Sequence, residues 1–424
     1  MSAPRLKILM SAYACEPGKG SESAGGWHRV LQAARFHDVW VITRANNRQK
    51  IDSDTTIRNH PHIHWVYYDL PWILRFWKRG SRGIQLYYFL WQFGIYGVAK
   101  RLHREVRFDL IHHVTLVRYW TPSLLVRLSA PMIFGPVGGG ESCPKSFYST
   151  FRFGGRLKEH LRDTVRWVAE HELLNRATVR NAAIVLATTD QSAERVRKMG
   201  AHNVSVSASF ALTQEELDEF NKPTAVHENS FRFISMGRLL HWKGFHLGLQ
   251  AFAQIHKECP QSEYWIVNNG PEKERLQTLA RELGIESKVT FFGKLPTLAD
   301  VHAKLHQSDV LVHPSLHDSF GNVCLEAMAA AKPVICLDLG GPAIQITDQC
   351  GFKILADHPE HAVASMATAM KTLYRDPELR QRMGANGRAR ANEFFRWDRK
   401  GDEMNAIYLK VVRQNEVREI KGGQ

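Results

Sequence analysis

Two short stretches in the second half of this 424-residue chain combine cations, carboxylates and glycines in a way that suits a phosphorylated, hydroxyl-rich ligand. In the first, SMGRLLHWKG (235–244), an apolar run expected to be a strand ends at Met236, and Gly237 permits a tight turn. Arg238 and Lys243 follow in a loop that opens a helix near Phe245. Two cations at the carboxyl end of a strand, beside a helix N-terminus, suit a diphosphate. By themselves the same residues also fit a solvated basic loop. In the second stretch, HPSLHDSFGNVCLEAMAAAKP (313–333), a strand ends at His313 and a helix is expected near Gly321, with Asn322 as its cap. The backbone N–H groups of Ser319, Phe320 and Gly321 would then point at a bound anion. Asp318 lies just before that helix and Glu326 a little over one turn inside it, so both carboxylates can accept hydrogen bonds from vicinal hydroxyls of a ribose or a hexose. Taken singly, Glu326 also reads as a helix-face charge and Asp318 as a complement to the helix dipole.

Short apolar runs alternating with amphipathic stretches position these residues, the pattern of strand–helix–strand units around a parallel sheet. In the first half the strands read as 7–12, 39–43, 64–68, 110–114, 131–134 and 183–187; in the second as 231–236, 263–268, 288–292, 310–313 and 333–337. Helices are expected over 25–36, 245–256, 272–283, 298–307 and 322–331, with more helix from about Pro377 onward, broken near Phe394–Trp397. Two such series mean an α/β protein of two doubly wound lobes. Residues 1–212 form an N-terminal lobe and 213–395 a C-terminal lobe, while 396–424 make a helix packing back on the first lobe. The polar stretch Thr213–Ser230 joins the lobes. Ligands of open parallel sheets sit at the carboxyl ends of strands, so a cleft between two such lobes is the expected site. In the first lobe, Gly25 and Gly26 open the first helix, where they would let backbone approach a phosphate closely or simply serve a turn.

In order and spacing, SMGRLLHWKG, NNGPEKERL, VTFFGKLP and HPSLHDSFGNVCLEAMAAAKPVIC closely resemble glycosyltransferase family 4. ACEPGKGSESAGGWHRV, FDLIHHVT and FGPVGGGE in the first lobe match more loosely. The resemblance implies the GT-B architecture, two Rossmann-like lobes facing a central cleft, with a nucleotide-sugar donor (UDP- or GDP-sugar favoured) and retention of anomeric configuration. Arg238 and Lys243 would bind the donor diphosphate and stabilise the charge developing on it, and Glu326 would bind the ribose. Asp318 stands where a glutamate contacting the transferred sugar is usual, and is one methylene shorter. Gly237, Gly270, Gly293 and Lys294 would lie around the diphosphate and base. His112 would be the catalytic histidine of the first lobe; strand alternation sends His112 and His113 to opposite faces, leaving His113 or a structural role as alternatives. The loop Gly138, Gly139, Gly140 and Glu141 would serve the sugar or acceptor. A front-side displacement, with the leaving phosphate helping to deprotonate the acceptor, is the mechanism implied. No metal and no other cofactor is expected, because the cationic side chains and the helix end take that role.

Composition is that of an ordinary globular protein: 44% apolar, 23% charged, formal charge +14. That surplus attracts an anionic partner. Six scattered cysteines form neither a zinc pattern nor a disulfide framework, and a cytoplasmic setting is expected. The HPHIH run (60–64) could alternate histidines on one strand face, but lacks a visible acidic or cysteine partner. No apolar run reaches the roughly 20 residues needed to cross a bilayer. Residues 71–107 mix Arg75, Lys78, Arg79, Arg82, Lys100, Arg101, Arg104 and Arg107 with many aromatics, and 152–166 is basic too. This composition suits either an anionic membrane surface or a buried helix with snorkelling arginines; no nucleic-acid motif accompanies it. The expectation is a glycosyltransferase acting on a lipid-linked or saccharide acceptor, peripheral on the inner face of a bacterial plasma membrane, in envelope polysaccharide or glycolipid synthesis. The alternatives are an inactive nucleotide-sugar-binding partner of a glycosylation complex, or a sucrose-type synthase or epimerase of the same fold.

Overall fold

A computed structural model describes residues 4–20, 22–78, 80, 83–116, 118–222 and 230–422. The chain divides into two compact units, the first of Met1–Gly140, Asp163–Ala211 and Trp397–Gln424, the second of Glu141–Arg162 and Leu212–Arg396. The sequence pattern assigned residues 141–162 to the first lobe, but they fold with the second unit. Phe147, Tyr148 and Phe151 are buried in the same core cluster as Phe245, Phe252 and Ile266.

The first unit holds a seven-stranded parallel sheet of β1 (Lys7–Ser11), β2 (Asp38–Thr43), β3 (Ile63–Tyr67), β4 (Leu110–His113), β5 (Met132–Val137), β6 (Ile184–Ala187) and β7 (Val204–Val206). Their spatial order is β3-β2-β1-β4-β5-β6-β7. Period-two alternation along β1 sends Leu9 to one face, with Trp91 and Ile95 of the helix Ile84–Val106. Ile8 and Met10 go to the other, with Trp27, Val30 and, from the helix Trp397–Gly422, Tyr408 and Val411. The first helix begins at Glu22, so Gly25 and Gly26 lie inside it and do not open it. A Cβ at Gly26 would sit 2.1 Å from the Ala14 carbonyl oxygen, so this glycine serves the close packing of helix on loop.

The second unit is built on a six-stranded parallel sheet of β8 (Phe231–Met236), β9 (Ser262–Val267), β10 (Val289–Gly293), β11 (Val310–His313), β12 (Val334–Leu337) and β13 (Gly351–Ile354), ordered β10-β9-β8-β11-β12-β13. The strand order reverses between neighbours β8 and β11, and at such a switch point the loops leaving two adjacent strands diverge and expose their backbone to a ligand. The stretch read as a plain linker contains a helix, Gln214–Phe220, fixed by a capping box between Thr213 and Glu216 and by burial of Leu217 and Phe220. Its remainder, 223–229, lies outside the described residues, as do Arg79 and Arg82.

The loops after β8 and β11 are locked together by a glycine. Gly244 has φ 66° and starts the helix Phe245–Ile255, and a Cβ there would lie 1.9 Å from the Pro314 carbonyl oxygen. The Leu316 N–H donates to the Trp242 carbonyl at 2.8 Å alongside. Gly244→Ala therefore combines a disfavoured backbone conformation with an overlap that only loop movement relieves. It is expected to destabilise the protein by roughly 2–4 kcal/mol. Thermal unfolding measures this, and an unchanged transition temperature would contradict the contact.

Candidate functional site

Two side chains and one helix end converge on the Asp318 carboxylate, which precedes the helix Asn322–Ala329. Lys243 Nζ donates to its Oδ2 at 2.5 Å and His313 Nε2 to the same oxygen at 3.2 Å. Its Oδ1 accepts from the backbone N–H groups of Gly321 at 3.0 Å and Phe320 at 3.3 Å. Burial pushes the Asp318 pKa upward, but the Lys243 ammonium and the His313 hydrogen bond outweigh it and hold the carboxyl far below the usual range. An ionised carboxylate offers about four lone-pair sites, and all are taken here.

Two expectations are corrected by this geometry. Asp318, read as a contact for sugar hydroxyls, has no acceptor capacity left for them, and the Phe320 and Gly321 amides, read as anion donors, are already spent on Asp318. Asn322 is the first helical residue and not the cap; Gly321, at φ 73°, takes the cap position with no side-chain bond. The Ser319 hydroxyl donates to Glu141 Oε2 at 2.5 Å. Behind the loop, Cβ atoms at Gly340 and Gly341 would lie 2.2 Å from Asp318 O and 2.3 Å from Phe320 Cα. This glycine pair, unremarked in the sequence, lets the loop close over it.

Arg238 and Glu326 keep their chemistry available. Arg238 is exposed and forms no ion pair among the described residues, whereas Lys243 is paired. The Lys243 ammonium has three donors and gives one to Asp318, so it is oriented without being exhausted. Glu326 is half-buried one turn into its helix, and burial, reinforced by the nearby Glu216 carboxylate, pushes its pKa up to about 7. Around them, Gly237 has φ 140°, and a Cβ at Gly270 would lie 2.3 Å from Leu239 O. Asn268 adopts a left-handed φ of 101°; its side chain accepts from the Asn269 N–H at 2.8 Å, and its own N–H donates to Gly293 O. Gly293 sits at a bulge at the end of β10 with φ 69°, and Lys294 beyond it is exposed.

In the first unit the sequence-expected residues are consumed internally. His112 is fully buried, with Nε2 2.8 Å from the Gly135 carbonyl and Nδ1 2.7 Å from the Tyr408 hydroxyl. A carbonyl only accepts, so Nε2 carries the proton and Nδ1 accepts from tyrosine. Burial holds this ring neutral, its pKa lowered to about 3. The expectation that His112 faces a ligand is thus corrected. His113 is no substitute, since its Nε2 meets the Tyr88 hydroxyl at 2.7 Å inside the opposite core. In the glycine loop, Gly138 bridges Arg118, while Gly139 (φ 89°) and Gly140 leave no room for a Cβ against Trp120 and Ser192. Arg166 donates to Gly139 O and Arg195 to Gly140 O at 2.9 Å. Glu141, next in sequence, belongs to the second unit.

Other clusters resolve as structure. His62 pairs with Asp38 at 2.7 Å and His64 stacks on Trp40, so the HPHIH histidines do not converge. All six cysteines are free and buried. Among the described residues, Cys143, Glu159 and His317 bring metal-ligand atoms within 4.8 Å of one another. The Arg162 guanidinium, however, bonds both Glu159 (2.9 Å) and His317, which places a fixed cation at the cluster. The 84–106 helix divides the aromatic residues of its region, with Tyr87, Tyr88 and Trp91 buried while Leu86, Phe89 and Phe93 are exposed.

Residues 217–390 match the profile of the family described as glycosyl transferases group 1, and residues 29–208 that of the glycosyl transferase 4-like domain. Among curated relatives, the lipopolysaccharide core biosynthesis glycosyltransferase LpsD of Rhizobium meliloti is 29% identical over 208 residues. That match takes in 49% of this chain and spans 58% of the relative. Among solved structures, a sucrose-phosphate synthase from Thermosynechococcus elongatus matches 97% of this chain and 100% of its own, at 19% identity and a TM-score of 0.65. Anabaena HepE, solved in complex with UDP-glucose, matches 95% and 100% at 20% identity and a TM-score of 0.56. At these identities the structures speak to the fold alone, which is GT-B. With both profiles matched in order and the GT-B fold in place, the chain belongs to the group 1 glycosyl transferases, of the family 4 type.

Proposed function

We propose that the protein is a retaining glycosyltransferase whose second unit holds a nucleotide-sugar donor. The observation that carries this reading is the exposed Arg238, without an ion pair among the described residues, and the oriented Lys243 on the loop leaving β8, the lysine tied through Asp318 to the loop leaving the adjacent strand β11, with Glu326 on the helix that follows. In the proposed reaction the bond between the anomeric carbon and the diphosphate oxygen breaks as an acceptor hydroxyl attacks from the same face. The hydroxyl proton passes to the departing phosphate. Arg238 and Lys243 stabilise the charge gathering on that phosphate, an electrostatic contribution that is commonly the largest single one. This assigns neutralisation of the diphosphate to side chains and not to a metal. Glu326, whose carboxylate has no hydrogen-bond partner among the described residues, would accept from the ribose hydroxyls. The UDP-glucose complex of HepE supports a UDP-sugar, with a GDP-sugar as the competing donor.

A thermal-shift screen of nucleoside diphosphates and their sugars tests the donor site. A ligand at a hundred times its Kd adds about 2.7 kcal/mol of stability, and Arg238→Ala should abolish most of the shift. An undiminished shift in Arg238→Ala would overturn the diphosphate assignment. Glu326 adds a pH signature. With its pKa near 7 it is mostly protonated at pH 6 and ionised at pH 8, and the ionised form is the stronger acceptor. Nucleotide affinity should therefore rise about 5- to 10-fold more over that interval in the wild type than in Glu326→Gln. Parallel pH profiles for the two proteins would remove the ribose role.

The acceptor is proposed to be lipid-linked, in envelope polysaccharide or glycolipid synthesis, with the first unit resting on the cytoplasmic face of an anionic membrane. The relation to LpsD supports the pathway class. Trp72, Ile73 and Phe76, each about two-thirds exposed, flank Arg75 and Lys78, and Trp167, Val168 and Leu173 are also exposed in the same unit. Aromatic and aliphatic side chains among basic ones suit the headgroup zone. No helix among the described residues is long and apolar enough to cross a membrane. Flotation with vesicles containing anionic phospholipid should capture the protein at low salt, and Trp72→Ser with Phe76→Ser should weaken capture several-fold. Equal recovery with neutral and anionic vesicles would sink the membrane reading.

A further inference from the structure

The loops that carry Arg238, Lys243 and Asp318 are joined by a buried carboxylate far away in sequence. Glu159 lies on the part of the helix Phe153–His171 that belongs to the second unit, and is 2% exposed. Its Oε1 accepts from His241 Nε2 at 3.0 Å and lies 3.8 Å from His317 Nε2. Its Oε2 meets the Arg162 guanidinium at 2.9 Å. His241 sits between Arg238 and Lys243, in the short turn His241–Lys243; His317 immediately precedes Asp318. Trp242 fills the space between the loops, stacked on the His317 ring at 5.1 Å.

A carboxylate this deeply buried is costly unless it is paired. Burial pushes its pKa up, but the hydrogen bond from His241, the nearby His317 ring and the Arg162 charge reverse that and hold it well below the ordinary range, so Glu159 is an anion; Arg162, which donates to His317 Nε2, links that ring to the carboxylate. As an acceptor only, it requires His241 to present an N–H, which fixes that ring's tautomer. The helix backbone approaches closely enough for this because Gly155 has no side chain, and a Cβ there would lie 3.3 Å from the His241 ring. The sequence separation of 82 residues between Glu159 and His241 means this contact has no counterpart in the strand–loop–helix units that build the donor site.

We infer that Glu159 is a positioning residue that, through His241 and through Arg162 to His317, sets the loop presenting Arg238 and Lys243 to the donor diphosphate and the loop whose Asp318 holds that lysine. The inference rests on the donor-site reading above. It acts on side chains that stabilise charge developing on the leaving group, so kcat should respond more than KM. Misplacing such groups by about 1 Å costs on the order of 10²-fold in rate.

The test measures three quantities on wild type, Glu159→Gln and Glu159→Ala. These are the melting temperature without ligand, the further increase given by UDP or GDP, and kcat and KM for nucleotide release from the matching nucleotide sugar. The expected result is a fall in kcat/KM of roughly 10- to 100-fold for Glu159→Ala, mostly in kcat, with a reduced nucleotide-induced increase. Glu159→Gln keeps an acceptor for His241 and should recover part of both. A purely structural role would lower the unliganded melting temperature while leaving the nucleotide-induced increase and kcat unchanged, and that outcome overturns the inference. If Glu159→Ala does not fold, Glu159→Gln and His241→Asn carry the same test, and wild-type kcat in both would overturn it equally. Wild-type protein that neither binds nor releases nucleotide would instead refute the donor-site reading, which separates the two failures.

Discussion

The four-way saturation of the Asp318 carboxylate is the constraint on which the second unit's ligand loops depend. One carboxylate ties the loop after β8 through Lys243, the end of β11 through His313, and the start of the next helix through two amides. A half-buried ion pair is weak support for stability by itself, because desolvation offsets much of the Coulomb attraction. Here the remaining lone pairs are also satisfied, so the arrangement is dictated by what would be left unpaired if any member moved. Displacing Lys243 would strand a buried anion at the helix end; displacing the helix would strand it beside an imidazole that burial already holds neutral. The loops are therefore held in one relative position before any ligand arrives, which is the preorganisation that electrostatic stabilisation of a leaving group requires.

Against that saturated centre, Glu326 is under-satisfied, and the cost has a sign. Its pKa is raised, so the folded protein holds a proton that the unfolded chain, near 4.5, has released. Between about pH 4.5 and 7 the native state binds more protons than the unfolded state, and this residue's contribution to stability falls as pH rises through that window. A second carboxylate, Glu216, sharpens the penalty, and its own place is fixed because it closes the capping box with Thr213. Retaining an uncompensated acid in the same unit as Arg238, a cation without an ion pair among the described residues, makes sense where a ligand supplies the missing partners. In the first unit the opposite holds for His112, both of whose ring nitrogens are bonded, and for the carbonyls of Gly139 and Gly140, which accept from Arg166 and Arg195; His113 bonds Tyr88 through Nε2 alone.

How much of this was legible in the sequence follows from the range of the interactions. The central strands, buried on both faces, write themselves as continuous apolar runs and were readable. The strands Val204–Val206 and Gly351–Ile354 were not, because each is a short edge strand, and residues such as Ser205 and Lys353 break the apolar run. Residue types in the loop after β8 were readable because turn, cation and helix start fall within ten positions of one another. Their partners were not. Nothing in the spacing of Glu159, His241 and His317 marks them as neighbours, and nothing in the composition of 141–162 says that it leaves the first unit to pack beneath Phe245 and Phe252. The T-x-x-E signature at Thr213 was present in the sequence, but a polar composition hid it.

The aspartate at 318 shows why a change of one methylene alters what a site can recognise. A glutamate at that point could reach past the helix end and offer its oxygens to a sugar hydroxyl. The shorter side chain holds its carboxylate at the amides of Phe320 and Gly321, where the helix dipole and Lys243 complete its coordination. Negative charge is thereby placed behind the lysine and not in front of it. The ammonium keeps two donors for an incoming anion, while its position is set by the third. In the proposed reaction, discrimination among sugars then falls to groups with spare hydrogen-bonding capacity. On the proposed donor-site reading, grip on the leaving group and choice of sugar fall to different atoms, so either could be altered by substitution without dismantling the other.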